Sequence, residues 1–154
     1  VNKSDMLDEL RLEVGMIADR VSTCQEFYLG IINTIGKHLP HHFGVAMYRC
    51  HNGFFCYLSG HGTISEKNTI KYGDGMFSIC SIRGKVTIHR ELDKISAYAP
   101  IYDGQHLIGI FLAECQDIHY EVTDEDLIFL QEITRYIEVK RKQLSNASID
   151  NFEH

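Results

Sequence analysis

The sequence predicts an α+β domain in which helices at both ends frame a block of antiparallel strands, and three observations carry that prediction. Asn52-Gly53 and Asp103-Gly104 each stand between two strand-forming runs, and such pairs supply the positive-φ positions of tight hairpin turns. Leu107 to Ala113 is apolar throughout, where a half-exposed strand would alternate, so it belongs in the middle of a sheet with both faces covered. The stretches before Leu39 and after Thr123 instead repeat apolar residues at helical spacing.

Ser4 to Val21 carries Leu7, Leu10, Val14, Ile17 and Val21 at alternating three- and four-residue steps, a narrow seam with charges elsewhere. A helix lying on a globular core usually has a wider apolar face. The seam therefore predicts a partner helix, with a place on its own domain as the other reading. Thr23-Cys24-Gln25-Glu26 reads as a capping box that opens a second helix running to about His38. Phe27, Ile31 and Ile35 mark its core-facing stripe, and Pro40 stops it.

His42 to Ser59 reads as a hairpin turning at Asn52-Gly53. A polar loop, 60–68, leads to a short strand at 69–72, a break at Gly73-Asp74-Gly75, a short helix over 76–82 ended by Gly84, and a strand at 86–88. In the second hairpin Pro100 has no N–H to give to a ladder, which predicts an interruption of pairing. Gly109 predicts that another backbone or a ligand comes close. The last helix opens with Thr123 as N-cap and with Asp124, Glu125 and Asp126 in its first turn, at the positive end of the macrodipole. Leu127, Leu130, Ile133 and Ile137 form its inner face, while Phe129 and Tyr136 lie off it, placed to meet a partner helix. The division expected is a dimerisation or signalling helix over 1–22, a ligand-binding domain over 23–144 and a frayed polar tail over 145–154.

A chain of 154 residues with 44% apolar and 23% charged residues suits one soluble domain with a real core. A formal charge of −6 gives no footprint for nucleic acid or for an acidic membrane, and no apolar run is long enough to span a bilayer. Five cysteines without C-x-x-C spacing argue against a disulfide framework and for a reducing, cytoplasmic setting. The opening residues carry no signal-peptide core, and the lack of an initiator Met suggests further sequence upstream. Cys50, Cys56 and His61 lack the close paired spacing of structural zinc, and the adjacent His41 and His42 would point opposite ways in a strand, so no metal site is expected. Nothing in the sequence names a cofactor.

Four stretches, Tyr72 to Gly75, Arg83 to Ile88, Ala97 to Ala113 and Val122 to Leu127, together resemble the GAF domain family. Tyr72-Gly73-Asp74-Gly75 is similar to the glycine-bracketed turn before that family's short helix, and Arg83-Gly84-Lys85-Val86-Thr87-Ile88 to the strand segment after it. Ala97 to Ala113 resembles its final hairpin, and Val122 to Leu127 the start of its last helix. The resemblance implies a GAF/PAS-like arrangement: a central antiparallel sheet of five to six strands, terminal helices packed on one face, and a small-molecule pocket under a short helix on the other. It also implies a regulatory role, often in a dimer.

Gly75 to Ser78 is expected to form a helix N-terminus whose free N–H groups can meet an anion or a ligand carbonyl. By the resemblance Met76, Phe77 and Cys80 face the pocket, with Tyr72 at its glycine turn. Tyr48, Cys50, Tyr57 and Ser59 would line it from the first hairpin, and Ala97, Tyr98 and Pro100 from the second. Aromatic walls with a few hydroxyls suit a small organic ligand or polar anion. Free methionine sulfoxide reductases share this fold and carry a Cys directly after the glycine turn and more in a long loop before the last hairpin. Here Met76 and Phe77 follow Gly75, and 89–95 is short and has no Cys. On that ground the chain is expected not to be an enzyme. The expected function is a small-molecule-sensing regulatory domain that signals through its terminal helices in a homodimer, with a downstream signalling protein as a further expected partner. The rival is a ligand-free dimerisation or interaction module.

Overall fold

The computed structural model describes the backbone of residues 2–153 and the side chains of residues 2–145. Six strands form one antiparallel sheet in the order β3-β2-β1-β6-β5-β4. They are β1 (Phe43–His51), β2 (Phe54–His61), β3 (Thr69–Lys71), β4 (Thr87–Arg90), β5 (Ile95–Asp103) and β6 (His106–Cys115). The helices are α1 (Lys3–Gly15), α2 (Cys24–His38), α3 (Gly75–Arg83) and α4 (Asp124–Glu153). Beyond Ser145 the expected frayed tail, 145–154, falls on side chains outside the described residues, and the backbone of α4 continues to Glu153.

The apolar run of β6 has its reason in the sheet order, because β1 pairs along one edge and β5 along the other. A Cβ on Gly109 would stand 2.5 Å from the carbonyl oxygen of Tyr48, so the close neighbour is a paired backbone, not a ligand. Pro100 sits opposite Ile110, and β4 pairs with β5 only as far as Tyr98. The expected interruption thus falls on the β4 side, where no strand needs the missing N–H. Asn52 and Gly53 take φ values of 50° and 83°, as a type I′ turn requires. The second turn is shifted from the expectation. Asp103 pairs with His106, leaving Gly104-Gln105 as the central residues with φ 63° at the glycine, the pattern of a type II′ turn. The cause is a register irregularity at Ile101/Tyr102, which moves the turn by one residue.

α1, α2 and α4 pack on one face of the sheet, where Phe27, Ile31 and Ile35 of α2 meet Val45, Met47, Ala99, Ile101 and Phe111. The seam Leu7, Leu10, Val14 and Ile17 is buried in this same core, which corrects the partner-helix expectation. α1 packs chiefly against α2 and α4, and a helix seated between two others needs only a narrow stripe. Phe129 is likewise buried inside the domain, and Tyr136 meets Phe27 edge-on at 5.6 Å. The first helix is also shorter than the expected 4–21. α1 stops at Gly15, and the Tyr136 hydroxyl bridges the break, donating to the Gly15 carbonyl at 3.3 Å and accepting from the Ala18 N–H at 3.4 Å.

The capping signals are met at α2 by the Thr23 side chain and at α4 by the Asp126 carboxylate, while the Thr123 hydroxyl accepts from Lys3 at 3.3 Å. Thr23 accepts from the Glu26 N–H at 3.1 Å, and the Asp126 carboxylate reaches back to the Thr123 N–H at 2.9 Å. Lys3 clamps the two helix starts together, donating to the Glu121 carbonyl at 2.7 Å and pairing with Asp126 at 2.8 Å.

An apolar void of about 90 Å³ lies between the helices and the sheet, lined in part by Leu7, Ile35, Ala97, Phe111 and Leu130. Ala97 therefore points to the helices and away from α3, which corrects its assignment to the ligand pocket. Alternation along β5 is the cause: Tyr98 faces α3, so its neighbour faces the helices. Ala97→Val would place two further methyl groups against the void and is expected to raise stability by about 1 kcal/mol. The urea midpoint of unfolding measures this.

Candidate functional site

On the other face α3 covers a second core of Ala46, Tyr48, Phe55, Phe77, Cys80, Tyr98, Ile110 and Leu112. Gly75 starts this helix with φ 63°, and Gly84 ends it in the left-handed region at φ 67°. The Phe77 ring, carried inward by the first turn, meets the rings of Tyr48 at 4.7 Å, Tyr98 at 5.3 Å and Phe55 at 5.3 Å. Four of the sequence-predicted site residues, Tyr48, Phe77, Cys80 and Tyr98, are thus brought together and buried. Cys50 and Met76 pack at the margin of this cluster. Tyr57 and Tyr72 stand half-exposed at its rim, against Tyr48 at 5.7 Å and Phe55 at 4.7 Å. Pro100 is buried two residues along β5 from Tyr98, and Ser59 is buried with a hydroxyl that has no hydrogen-bond partner. The expectation of an open pocket is corrected here, since the protein's own aromatic rings fill the space between α3 and the sheet.

Beside this plug lies a polar centre that the sequence reading missed. Glu114, at the end of β6, is 0% exposed, and its carboxylate accepts from the Ser65 N–H and the Ser65 hydroxyl, each at 3.0 Å. The Lys94 ammonium stands 3.8 Å from Glu114 and 3.2 Å from Glu91, and it also donates to the Ser65 hydroxyl. Ser96, the direct cross-strand neighbour of Glu114, is fully buried and its hydroxyl has no partner. The loop between β2 and β3 is strapped over the sheet by these bonds and two more. Tyr98 donates to Glu66 at 3.2 Å, and Tyr48 to the Lys67 carbonyl at 2.9 Å. Gly44 makes room for the strap: a Cβ there would collide with the Thr63 carbonyl. The one available signal was Glu114 itself, a charge closing an otherwise apolar central strand.

Burial pulls the Lys94 ammonium down, but Glu114 and Glu91 outweigh it, and its pKa stands above the ordinary 10.5. A raised lysine pKa contributes stability that is complete below the ordinary value and is lost as pH rises through the raised one. Lys94→Met is therefore expected to lower the urea midpoint at neutral pH, with the gap to wild type closing above pH 10.5.

All five cysteines are free thiols. Burial pushes Cys80 up to about 11, and its thiol donates to the Tyr98 carbonyl at 3.5 Å. Alkylation of native protein near neutral pH is expected to modify Cys80 at least roughly tenfold more slowly than the half-buried Cys56, because the thiolate is the reactive form. Peptide mass mapping over time checks it. Among the described residues no group of three or more His, Cys, Asp or Glu could hold a metal ion, and no helix is long and apolar enough to cross a membrane.

No protein-family model and no curated protein matches the chain. Solved structures do. Free methionine-R-sulfoxide reductase from Neisseria meningitidis, in complex with its substrate, superposes with a TM-score of 0.83 at 12% identity, over 96% of this chain and 95% of that one. The GAF domain of a phosphoenolpyruvate-protein phosphotransferase from Coxiella burnetii gives 0.75 at 16% identity, over 97% and 99%. The Staphylococcus aureus free methionine-R-sulfoxide reductase, also with substrate, gives 0.71 at 13%, over 86% and 95%. These superpositions correct the expectation that the chain is not an enzyme, since they overturn the exclusion drawn from cysteine spacing. At such identities the likeness speaks for the scaffold. The chain has the GAF fold, shared by the GAF domain of a phosphoenolpyruvate-protein phosphotransferase and by free methionine-R-sulfoxide reductases.

Proposed function

We propose that the chain binds a small amine-bearing molecule beside the aromatic plug, between the sheet and the loop at 62–68, with Glu114 as the carboxylate that receives the cation. The carrying observation is the full burial of Glu114 under a strap whose charge partner is a single loop lysine. A buried ion pair adds little stability over an apolar filling of the same volume. It is better accounted for as an exchangeable contact in which Lys94 and Ser65 hold the ligand's place. An incoming ammonium group takes over Glu114, the loop at 62–68 lifts, and the Tyr48 and Tyr98 hydroxyls lose their partners on it. The unpartnered Ser96 hydroxyl beside Glu114 offers the ligand a further polar contact. The substrate named for the Neisseria meningitidis neighbour, free methionine sulfoxide, is a molecule of this class.

Output to a second copy or to a downstream signalling protein belongs to this reading. It falls to the outer face of α4, where Ile128 and Val139 are exposed, because the α1 seam is used inside the domain.

A second reading, reduction of free methionine sulfoxide at the same site, is favoured by the TM-score of 0.83 with that enzyme. Cys80 is the thiol within the aromatic cluster. One experiment separates the readings: a melting-temperature screen of free amino acids, including L-methionine sulfoxide, run beside a thiol-coupled turnover assay. Stabilisation without turnover supports ligand sensing. Turnover lost in Cys80→Ser supports the reductase. Silence in both assays favours the bare interaction module.

A further inference from the structure

We infer that the cavity between α2 and α4, on the helical side of the sheet, is a second ligand site that takes a small anion carried on an apolar body. This site is separate from Glu114 and does not rest on the reading above. The cavity measures about 430 Å³, within the range of small-molecule sites. Its floor is apolar, formed by Met47, Ile101 and Ile137. Two guanidinium groups line it, Arg49 from β1 and Arg141 from α4, and among the described residues no carboxylate does.

That combination stands out in a chain of net charge −6. Arg141 is already oriented, its Nε donating to the Tyr28 hydroxyl at 2.8 Å while Asp103 approaches from outside the cavity at 3.6 Å. The Arg49 guanidinium is exposed and has no hydrogen bond or ion pair among the described residues. Cys24 and Gln25 of the first turn of α2 close the cavity on its third side. A guanidinium fork is the side chain best matched to a carboxylate or phosphate monoester, and the apolar floor then selects for a short alkyl or phenyl body. A ligand seated here bridges β1 and α2 to α4, where the Cys24 thiol already lies 3.4 Å from the Ser145 hydroxyl.

Calorimetric titration tests this with 4-phenylbutyrate and hexyl phosphate as anionic probes, 4-phenylbutan-1-ol as the neutral control and inorganic phosphate as the bare anion. At least one anionic probe is expected to bind, with the alcohol and inorganic phosphate weaker by roughly tenfold or more, the worth of one charged contact. Arg49→Gln and Arg141→Gln should each weaken the anionic probe by a similar factor. Arg49→Gln decides the matter, since the Arg49 guanidinium holds no partner among the described residues and its loss is expected to leave the melting temperature unchanged. No binding by either anionic probe, equal binding of the alcohol, equal binding of bare phosphate, or undiminished binding to Arg49→Gln would each overturn the inference.

Discussion

Leu10→Asp is expected to abolish cooperative folding. Leu10 is 0% exposed, with Leu7 and Val14 buried on the same side of α1 in a core that also includes side chains of α2 and α4. A carboxylate at this point has no cation to pair with, and burying an unpaired charge costs several kcal/mol, while the leucine's own burial, worth about 2 kcal/mol, is lost as well. Together these approach the ~5–15 kcal/mol that holds a domain folded. Circular dichroism should show no unfolding transition for the variant under conditions where wild type melts sharply. Contact of this seam with a partner helix makes the opposite forecast: a folded, soluble monomer. A folded Leu10→Asp monomer by sedimentation would sink the packing described here.

Glu114→Ala is expected to release the strap. The substitution removes both acceptors of Ser65 and the carboxylate facing Lys94, and loss of one partner in a buried charge pair costs about 3 kcal/mol. The loop then keeps its bonds from Tyr48 and Tyr98, through Lys67 and Glu66, and from Lys94 to the Ser65 hydroxyl, but loses the carboxylate that anchors Ser65 and Lys94 together. Trypsin offers a direct readout, because Lys67 lies in the strap. Cleavage after Lys67 should be slow in wild type and fast in Glu114→Ala, with Glu114→Gln between them because its amide oxygen still accepts from Ser65. Equal cleavage rates in all three would mean that Glu114 does not hold the loop.

The parts of this fold that the sequence disclosed are those set by local chemistry. Asn52-Gly53 made its turn, Thr23 capped its helix, and Leu107 to Ala113 became the strand between two neighbours. The parts that stayed hidden depend on what each element meets. The Leu7 to Ile17 seam has the same spacing whether the facing helix belongs to another chain or to α2 and α4. Phe129 and Tyr136 looked outward on a helical wheel, but α4 is also met by α1 and α2, which widens its buried arc. The resemblance places Ala97 on the wrong face because a motif does not state its register, and one position along a strand reverses the side. The site was half legible. Phe77, Tyr48 and Tyr98 do converge, but sequence cannot tell rings that line a space from rings that fill it. Glu114 and Ser65 lie 49 positions apart, and only the folded loop brings them together.

The claim at the centre of this account is that Glu114 exchanges a lysine for a ligand's ammonium group, and paired melting curves test it most directly. Free amino acids, L-methionine sulfoxide among them, are compared with their des-amino analogues on wild type and on Glu114→Gln. A ligand that binds only the folded chain stabilises it by about 2.7 kcal/mol at a hundredfold excess over its Kd. At least one amine-bearing compound is expected to raise the melting temperature of wild type, with its des-amino analogue inert and Glu114→Gln unresponsive. A des-amino analogue as effective as its parent, or a shift that persists undiminished in Glu114→Gln, would contradict the account.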